Sequence, residues 1–579
     1  MQIRTLTRLL PLMAILFMLA SCSKTNKQGK LIPANASIVV HMNGKSLSGK
    51  LPWEEIKGNV LFQKLYADST VPAFVKNILN DPDNSGIDIK SDLLFFVQKD
   101  SLGTLVGFEG NIKDAAKFKA FNLEVTKHGA GNPGTESEKD GISYISRAPL
   151  CVGWNKDRFV YVFDAPHFNF SPGRFPGSPA GMTGDKSARD IGVACKNIFD
   201  LKEKNSLGSN EKFTALMKKD GDIHFWMNSQ EMNKELTAMP GMAMMNLEKL
   251  FEGSVTAATA NFENGKITID YKAYAGKLLD DILKKYSGGN INEDMLKRIP
   301  SKDVAAVLAM NFKPEGIKEL LKAMGMDGLA NLGLAQLGFN LDDFIKANKG
   351  DILIAVTDFR SKTDSISFPG GDGKDRVITN NSTTPDVLFS ASIGDKEAFN
   401  KLIAAGNKIL GPKPGDSLGM TMMTLPGIAY STSADYFAIG NSKTAVDSYI
   451  AGTSKNNFDF ISKLSGNPFG GYVNLQYIMK AMETSMTKDS SAKIAYDASL
   501  KMWDNVYMSG GKYNDGGVSY SMEVNLLDKS TNSLKQLNQY LGKLGYLADE
   551  RKKKDEASGR MEDFMIDTAV SITPAPQNK

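Results

Sequence analysis

TANFENGKITIDY, at residues 259–271, and GGKYNDGGVSYSM, at residues 510–522, are two stretches of similar design. In each, apolar and polar side chains alternate on both sides of a two-residue turn, Asn264-Gly265 in the first and Asp515-Gly516 in the second. Alternation with period two indicates β-strands, and Asn-Gly and Asp-Gly favour type I′ turns. Each stretch therefore predicts a long antiparallel hairpin.

Each hairpin closes a series of elements that occurs twice along the chain. The series opens with Ile-Pro and an apolar strand ending in Met-Asn, at residues 32–43 and again at residues 299–311. Then come an acidic residue with a second strand (92–97, 351–356), a helix start after a third strand (110–118, 393–399), a pair of short strands (from 141 and from 427) and an aromatic strand ending in Asn (225–228, 471–474). Six matches in the same order indicate a duplication rather than chance similarity.

The order of elements also predicts the fold class. Consecutive hairpins favour antiparallel sheets, and the helices between them indicate an α+β fold rather than a doubly wound one. We therefore predict two homologous α+β halves, residues 31–290 and 291–548, each a mainly antiparallel sheet with helices packed on one face, followed by a polar tail at 549–579. Two irregular segments, 164–185 and 361–386, are predicted to be surface loops.

The first 21 residues have the organisation of an export signal. Arg4 and Arg8 precede an apolar run, residues 9–20, that is too short to span a bilayer as a mature helix. The run ends in LASC at residues 19–22, which resembles the lipobox of bacterial lipoproteins. We predict a signal peptide at 1–21, a lipid on Cys22 that holds the chain to a membrane, and a polar tether at 22–30. The alternative is an ordinary signal peptide with an incidental cysteine.

The residue after the lipidated cysteine bears on location. Ser23 stands where, by resemblance to enterobacterial lipoproteins, an aspartate would retain the protein in the inner membrane. The acidic cluster that marks surface-exported lipoproteins in some Gram-negative lineages is missing from this part of the sequence. These features predict an anchor in the outer membrane, facing the periplasm.

Composition describes a folded chain with little net charge. The formal charge of +4 falls to +2 when residues 1–21 are removed, and the one basic block, 551–554, has acidic neighbours on both sides. Nucleic-acid binding usually needs a concentrated basic face, so no nucleic-acid partner is predicted. The hydrophobic content of 42% is enough for a large core.

Two cysteines remain after lipidation, Cys151 and Cys195. An oxidising periplasm would allow a disulfide between them, but Cys151 lies in an apolar, strand-like run, where buried free thiols are common. Both alternatives stay open, because pairing depends on geometry. Two cysteines alone would leave a metal site short of ligands.

The lipobox, the LIPA opening at residues 31–34, the Gly86-Ile87-Asp88 turn and the two-fold repeat resemble a family of unknown function. That family comprises large two-repeat lipoproteins of anaerobic Gram-negative bacteria. Its motifs are structural, and the resemblance implies no activity and no catalytic residue.

Motifs that suggest chemistry are incomplete. Ser417 lies in a Gly-Asp-Ser-Leu-Gly pattern typical of hydrolases, but a loop precedes it and no histidine base follows, since the last histidine is His224. Residues 81–92 resemble a calcium loop, yet Pro82 and Ile89 depart from its ligand pattern, which favours a structural turn. His41 and His224 lie in strand-like runs and are interpreted as structural. No catalytic residue, metal or cofactor is predicted.

Four triplets of the form Asp-Ser/Thr-aliphatic resemble the acceptor sequence for O-glycosylation in some anaerobic Gram-negative bacteria; their hydroxyl residues are Ser101, Ser365, Ser417 and Thr568. Chance occurrence is the alternative. We expect a cell-envelope lipoprotein that binds or scaffolds an unknown envelope ligand or protein without enzymatic activity. The alternative function is a periplasmic hydrolase of unrecognised type.

Overall fold

A computed structural model describes residues 32–69, 71–128, 134–165, 189–237, 245–369, 375–410, 428–487 and 490–557. It is a mixed structure of helices and antiparallel sheet. The strands are β1 (Ala36–Asn43), β2 (Asp92–Asp100), β3 (Gly103–Asn111), β4 (Thr135–Lys139), β5 (Ile142–Arg147), β6 (Leu150–Trp154), β7 (Arg158–Asp164), β8 (Ile223–Asn228), β9 (Val255–Glu263), β10 (Lys266–Tyr274), β11 (Val304–Asn311), β12 (Asn348–Pro369), β13 (Asp375–Ile393), β14 (Ala429–Thr432), β15 (Tyr436–Gly440), β16 (Phe469–Asn474), β17 (Trp503–Asn514) and β18 (Gly517–Leu526).

The helices are short apart from the last. They are α1 (Gly44–Lys50), α2 (Trp53–Lys57), α3 (Val60–Ala67), α4 (Ala73–Asn80), α5 (Ala115–His128), α6 (Ile191–Phe199), α7 (Glu211–Met217), α8 (Ser229–Thr237), α9 (Leu247–Phe251), α10 (Lys277–Tyr286), α11 (Glu293–Lys297), α12 (Glu315–Ala323), α13 (Asp327–Gln336), α14 (Leu341–Ala347), α15 (Lys396–Leu410), α16 (Lys443–Ala451), α17 (Asp459–Leu464), α18 (Leu475–Ala481), α19 (Glu483–Met486), α20 (Ser490–Leu500) and α21 (Ser533–Ala557). Helix α21 continues into the segment predicted as a polar tail.

Contacts divide the described residues into two compact units, with residues 32–48 and 69–231 in the first and residues 49–68 and 232–557 in the second, apart from the gaps given above. The predicted halves, 31–290 and 291–548, follow the sequence repeat instead of the contacts. Consequently the hairpin β9–β10, which closes the first repeat, lies in the second unit.

In the first unit the strands pair antiparallel in the order β8-β1-β2-β3-β7-β6-β5-β4. Both faces of this sheet carry a helix. Ile145 packs with Phe118 of α5, whereas its neighbour Tyr144 packs against Phe199 of α6, with ring centroids 6.1 Å apart. Consecutive residues of a strand point to opposite faces. The prediction that helices cover one face is therefore wrong for this unit, because a strand such as β5 carries apolar side chains on both sides.

In the second unit the order is β9-β10-β18-β17-β16-β11-β12-β13-β15-β14, again antiparallel. Ala438 of β15 packs in a core cluster with Val446 and Tyr449 of α16. The adjacent residue, Phe437, contacts Phe399 of α15 at a centroid distance of 5.7 Å. Helices thus pack on both faces here as well, for the same reason.

The two hairpins predicted at residues 259–271 and 510–522 are present, but their turns differ. Glu263 pairs with Lys266 and Asn514 with Gly517, so both loops have two residues. Asp515 and Gly516 have φ values of 43° and 73°, as a type I′ turn requires. At Asn264-Gly265 only the glycine has a positive φ, 67°, so the type I′ prediction is wrong there. Asn264 instead forms an isolated bridge with Asn532.

The segment 361–386 is also different from its prediction. Instead of an irregular loop, it extends the β12–β13 hairpin, whose ladder continues to the pair Pro369 and Asp375. Antiparallel pairing satisfies the backbone hydrogen-bonding groups of this largely polar stretch. The other predicted loop, 164–185, lies almost entirely outside the described residues.

Of the helices in the described ranges, none is both long enough and apolar enough to cross a bilayer.

Candidate functional site

A groove of about 550 Å³ lies in the second unit between α2, α3, α20 and α21. This volume is in the range of small-molecule sites in proteins. The lining residues are Glu55, Gly58, Asn59, Val60, Ile494, Asn538, Gln539, Gly542, Lys543 and Tyr546.

Two glycines of α21 allow α3 to approach closely and form the groove wall. A Cβ atom at Gly545 would lie 2.0 Å from the Leu61 side chain, and one at Gly542 would lie 3.1 Å from the Asn59 amide. Asn59 caps α3 by accepting from Leu61 N at 2.9 Å, and it donates to the Asn538 carbonyl at 2.6 Å. The same side chain therefore begins α3 and joins it to α21.

The groove is flanked by apolar side chains that remain in contact with solvent. Val60, Ile494 and Tyr546 line it and are 38%, 47% and 47% exposed. Leu61 and Leu541 on the same helices are also exposed. Exposed apolar side chains gathered at one groove, rather than scattered singly over the surface, make it a candidate binding surface.

Charge in the groove is unbalanced. The Glu55 carboxylate forms an ion pair with Lys535 at 2.5 Å. The Lys543 ammonium, also in the groove, forms no ion pair with the side chains that the structure describes. Among the described side chains, Lys543 is thus a cation beside the apolar lining that has no ion-pair partner.

The two cysteines for which the sequence left a disulfide open lie together in the first unit. Cys151 on β6 and Cys195 on α6 are fully buried and are free thiols in this structure. A hydrogen bond between the thiols lowers the pKa of Cys151 and raises that of Cys195. The sequence left this contact undecided, because it joins a strand to a helix across the 166–188 segment.

The predicted acceptor hydroxyls are in different settings. Ser101 is exposed in the turn between β2 and β3. The backbone of Ser365 pairs with that of Thr379 in the β12–β13 ladder, so it does not lie in a flexible loop as predicted. Ser417 and Thr568 lie outside the described residues, as does the lipidation residue Cys22.

The segment that resembles a calcium loop forms a compact turn. Asp81 accepts from Asp83 N at 3.0 Å, and Gly86 ends a 3-10 helix with a φ of 74°. The Lys113 ammonium forms an ion pair with Asp83. Within the described ranges, no group of three or more His, Cys, Asp or Glu side chains is arranged to hold a metal ion.

A strongly perturbed acid is present, but not in the groove. Glu109 on β3 is 6% exposed, and burial raises the pKa of its carboxyl to about 7. It lies in a row of opposed strand residues with Leu94 and His41. An acid enclosed in a sheet has no access to a substrate, so it does not favour the hydrolase alternative.

Sequence reasoning missed the groove residues Ile494, Lys543 and Tyr546 and the contact between His41 and His224. A local signal existed for the groove, the Gly542-x-x-Gly545 spacing in a helical segment. None existed for the histidines, which are 183 residues apart.

Comparisons with known proteins match part of the chain to a family of unknown function. A search of curated proteins found no match. Two crystal forms of the protein TP0453 align at 8% and 10% identity, over 43% and 45% of this chain and 78% and 87% of theirs, with TM-scores of 0.23 and 0.25. Scores this low support no argument about fold. Over residues 29–169 the chain matches the family described as Domain of unknown function (DUF4836).

Proposed function

We propose that the protein is a lipid-anchored, non-enzymatic protein of the cell envelope that binds an anionic amphiphile in the groove between α3 and α21. The observation that carries this proposal is the combination of exposed apolar lining with the unpaired Lys543. The chemistry it would recognise is one acyl chain with an acidic headgroup.

The apolar wall supplies affinity for a hydrocarbon chain. Burial of methylene groups contributes about 0.8 kcal/mol for each CH₂. Val60, Ile494 and Tyr546 offer that surface without rearrangement of the core, because they are already exposed at the groove. The groove is therefore suited to a chain that is poorly soluble in water.

The charge of Lys543 selects the headgroup. Because Lys535 already neutralises Glu55, the second lysine is available to an anion. Exposed ion pairs contribute up to about 1 kcal/mol, so the lysine is expected to tune the affinity and the apolar wall to dominate it.

The first prediction concerns the headgroup contact. In the full-length protein, Lys543→Glu should weaken binding of oleate by about tenfold, since an attraction is replaced by a repulsion. Binding of oleyl alcohol should change little. The measurement is displacement of a fluorescent fatty acid by each ligand.

Lys396→Glu provides the matched control, because Lys396 is an exposed lysine on α15, away from the groove. It should leave oleate binding unchanged. Ile494→Gln, at a half-exposed position, should weaken the binding of oleate and of oleyl alcohol equally. Equal oleate affinity in wild type, Lys543→Glu and Ile494→Gln would show that the groove is not the site.

We also propose that the two sheets derive from duplication of one ancestral half. Support comes from strand neighbours: β1 lies between β8 and β2, and β11 lies between β16 and β12. Strands β1 and β11 each have a register shift near their start, between Ala36 and Ile38 in β1 and between Val304 and Ala306 in β11. A bulge at the same place is a conserved type of feature within families.

The second prediction concerns the cysteines and rests on export. In an oxidising compartment, exchange with the disulfide of a thiol oxidoreductase would join Cys151 to Cys195 and leave the oxidant with two thiols. Protein isolated from cell envelopes without reductant should be lighter than the reduced protein by two hydrogen atoms, by intact mass. The Cys195→Ser variant should instead show one alkylatable thiol. Alkylation of both cysteines in unreduced, denatured wild type would contradict the proposal.

A further inference from the structure

His41 and His224 form a buried pair in the first unit. They oppose each other on β1 and β8, each is 2% exposed, and their Nδ1 atoms are 2.9 Å apart. His224 Nε2 lies 2.9 Å from the Lys219 carbonyl oxygen, and His41 Nε2 lies 3.2 Å from an Asp92 carboxylate oxygen. The two rings thus join a carboxylate to a backbone carbonyl.

These four groups determine how many protons the pair can hold. A carbonyl only accepts, so His224 Nε2 carries a hydrogen. The two facing Nδ1 atoms can form a hydrogen bond only if one of them carries a hydrogen. Because the single hydrogen of a neutral His224 ring is on Nε2, the hydrogen between the Nδ1 atoms belongs to His41. His41 Nε2 then faces a carboxylate, and the contact is attractive only when that nitrogen is also protonated. All contacts are satisfied together when the pair carries one proton more than two neutral rings.

A different number of protons breaks a contact. With no extra proton, the lone pair of His41 Nε2 lies 3.2 Å from an Asp92 carboxylate oxygen, and the two atoms repel each other. With two extra protons, both Nδ1 atoms carry hydrogens and cannot remain 2.9 Å apart.

The second sheet shows that the fold does not need this pair. Positions along β1 and β11 can be matched by counting from the register shift that both strands have near their start. By this count, the opposed residues of one row in the first sheet, His224, His41, Leu94 and Glu109, correspond to one row in the second, Gly470, Ala309, Leu353 and Ser390. The corresponding positions of the second sheet thus hold small, apolar or hydroxyl residues where the first has three titratable ones.

The pair lies next to a tightly bonded junction. Asn43 N and Nδ2 donate to the Asp222 and Gly221 carbonyls, at 2.9 and 3.2 Å. Ser46 Oγ donates to the Asp222 carboxylate at 2.5 Å. Hydrogen bonds therefore hold the turn at 219–222 to the end of β1. The same turn supplies the Lys219 carbonyl that contacts His224.

We propose that the His41–His224 pair is a proton-operated latch, in which one shared proton holds β1 to β8 and entry of a second proton on acidification separates the rings and releases the 219–222 turn. Asp92, Lys219 and Asp222 are the charged groups beside the pair, and Glu109 is the nearest titratable group in the same row. Release would expose the end of β8 in acid.

The direction of titration agrees with this arrangement. Burial lowers the pKa of His224 below its usual 6.5, and the charge on His41 lowers it further. A lowered histidine pKa contributes stability above the unfolded value, and this stability is lost as pH falls through the folded value. Because one proton is taken up on unfolding, the equilibrium constant for unfolding increases by up to about tenfold for each pH unit of acidification. Glu109 has the opposite effect on the pH dependence of stability, because its pKa is raised in the folded protein and its contribution is lost as pH rises.

The test uses the full chain in the Glu109→Gln background, which removes the opposing titration. Hydrogen exchange of β8 amides, corrected for intrinsic rates, should accelerate by about tenfold for each unit of acidification below about pH 6.5. Adding His224→Gln should abolish this dependence. A pH dependence that survives the second substitution would overturn the proposal.

A second readout separates the latch from a merely structural pair. With ¹⁵N-labelled histidine, the His224 ring should carry one hydrogen, on Nε2, while the β8 amides are protected. On acidification the His224 ring should become protonated on both nitrogens together with loss of the β8 protection. Loss of that protection while the His224 ring still carries a single hydrogen would refute the assignment.

Discussion

Replacement of Cys22 by alanine should move the protein from the membrane fraction to the soluble fraction. The expected change is nearly complete, because in the proposed function the lipid on Cys22 is the main attachment of the chain to the membrane. Each buried methylene of an acyl chain contributes about 0.8 kcal/mol to membrane affinity, so loss of the chains removes most of that free energy. The measurement is the distribution of the protein between pellet and supernatant after ultracentrifugation and a high-salt wash.

The matched control is Cys151→Ala, which removes a buried thiol and leaves the lipid site intact. This variant should stay in the pellet. Retention of Cys22→Ala in the membrane after the wash would mean that the chain is held by something other than a lipid on that cysteine.

Glu109→Gln should stabilise the first unit in mild alkali by about 3 kcal/mol, which is the free energy that corresponds to a pKa raised from 4.5 to about 7. Burial is the main cause of that shift, and Arg158 offsets part of it. Glutamine resembles the protonated side chain in size and charge. The variant should therefore match wild type in acid and exceed it in alkali.

The sign follows from the raised pKa. The neutral carboxyl is favoured in the folded protein, so its contribution is fully present below pH 4.5 and is lost as pH rises through about 7. Urea unfolding near pH 4.5 and near pH 8, followed by the fluorescence of the buried Trp154 and Trp226, measures the difference.

Glu203→Gln serves as the control, since Glu203 is an exposed glutamate of the first unit. It should leave stability unchanged at both pH values. Equal stability of Glu109→Gln and wild type in alkali would mean that the Glu109 carboxylate is solvated in the folded protein.

The secondary structure was largely readable from local sequence. Alternating side chains around Asp515-Gly516 predicted a hairpin and its turn type, because the pleat and the positive φ requirement act within a few residues. The order of repeated elements predicted the strands that became β1, β2, β11 and β12 for the same reason. The error at Asn264 arose because its backbone bridges Asn532, a residue far along the chain.

The sequence did not predict which faces of the sheets the helices cover. The pattern of β5 shows Tyr144 and Ile145 as consecutive apolar residues, which fits a strand covered on both sides or an irregular one. Only the packing of α5 and α6 decides between these.

The candidate sites depended on tertiary structure almost entirely. Sequence alone predicted a mixed structure of helices and antiparallel strands, and it is also the sole basis of the proposed export signal and duplication, because these depend on composition and on short-range periodicity. Tertiary structure decided that Asn59 meets Asn538, that Cys195 meets Cys151 and that His41 meets His224. Each contact joins residues whose separation along the chain carries no periodic signal, and burial of apolar surface across the whole sheet selects it.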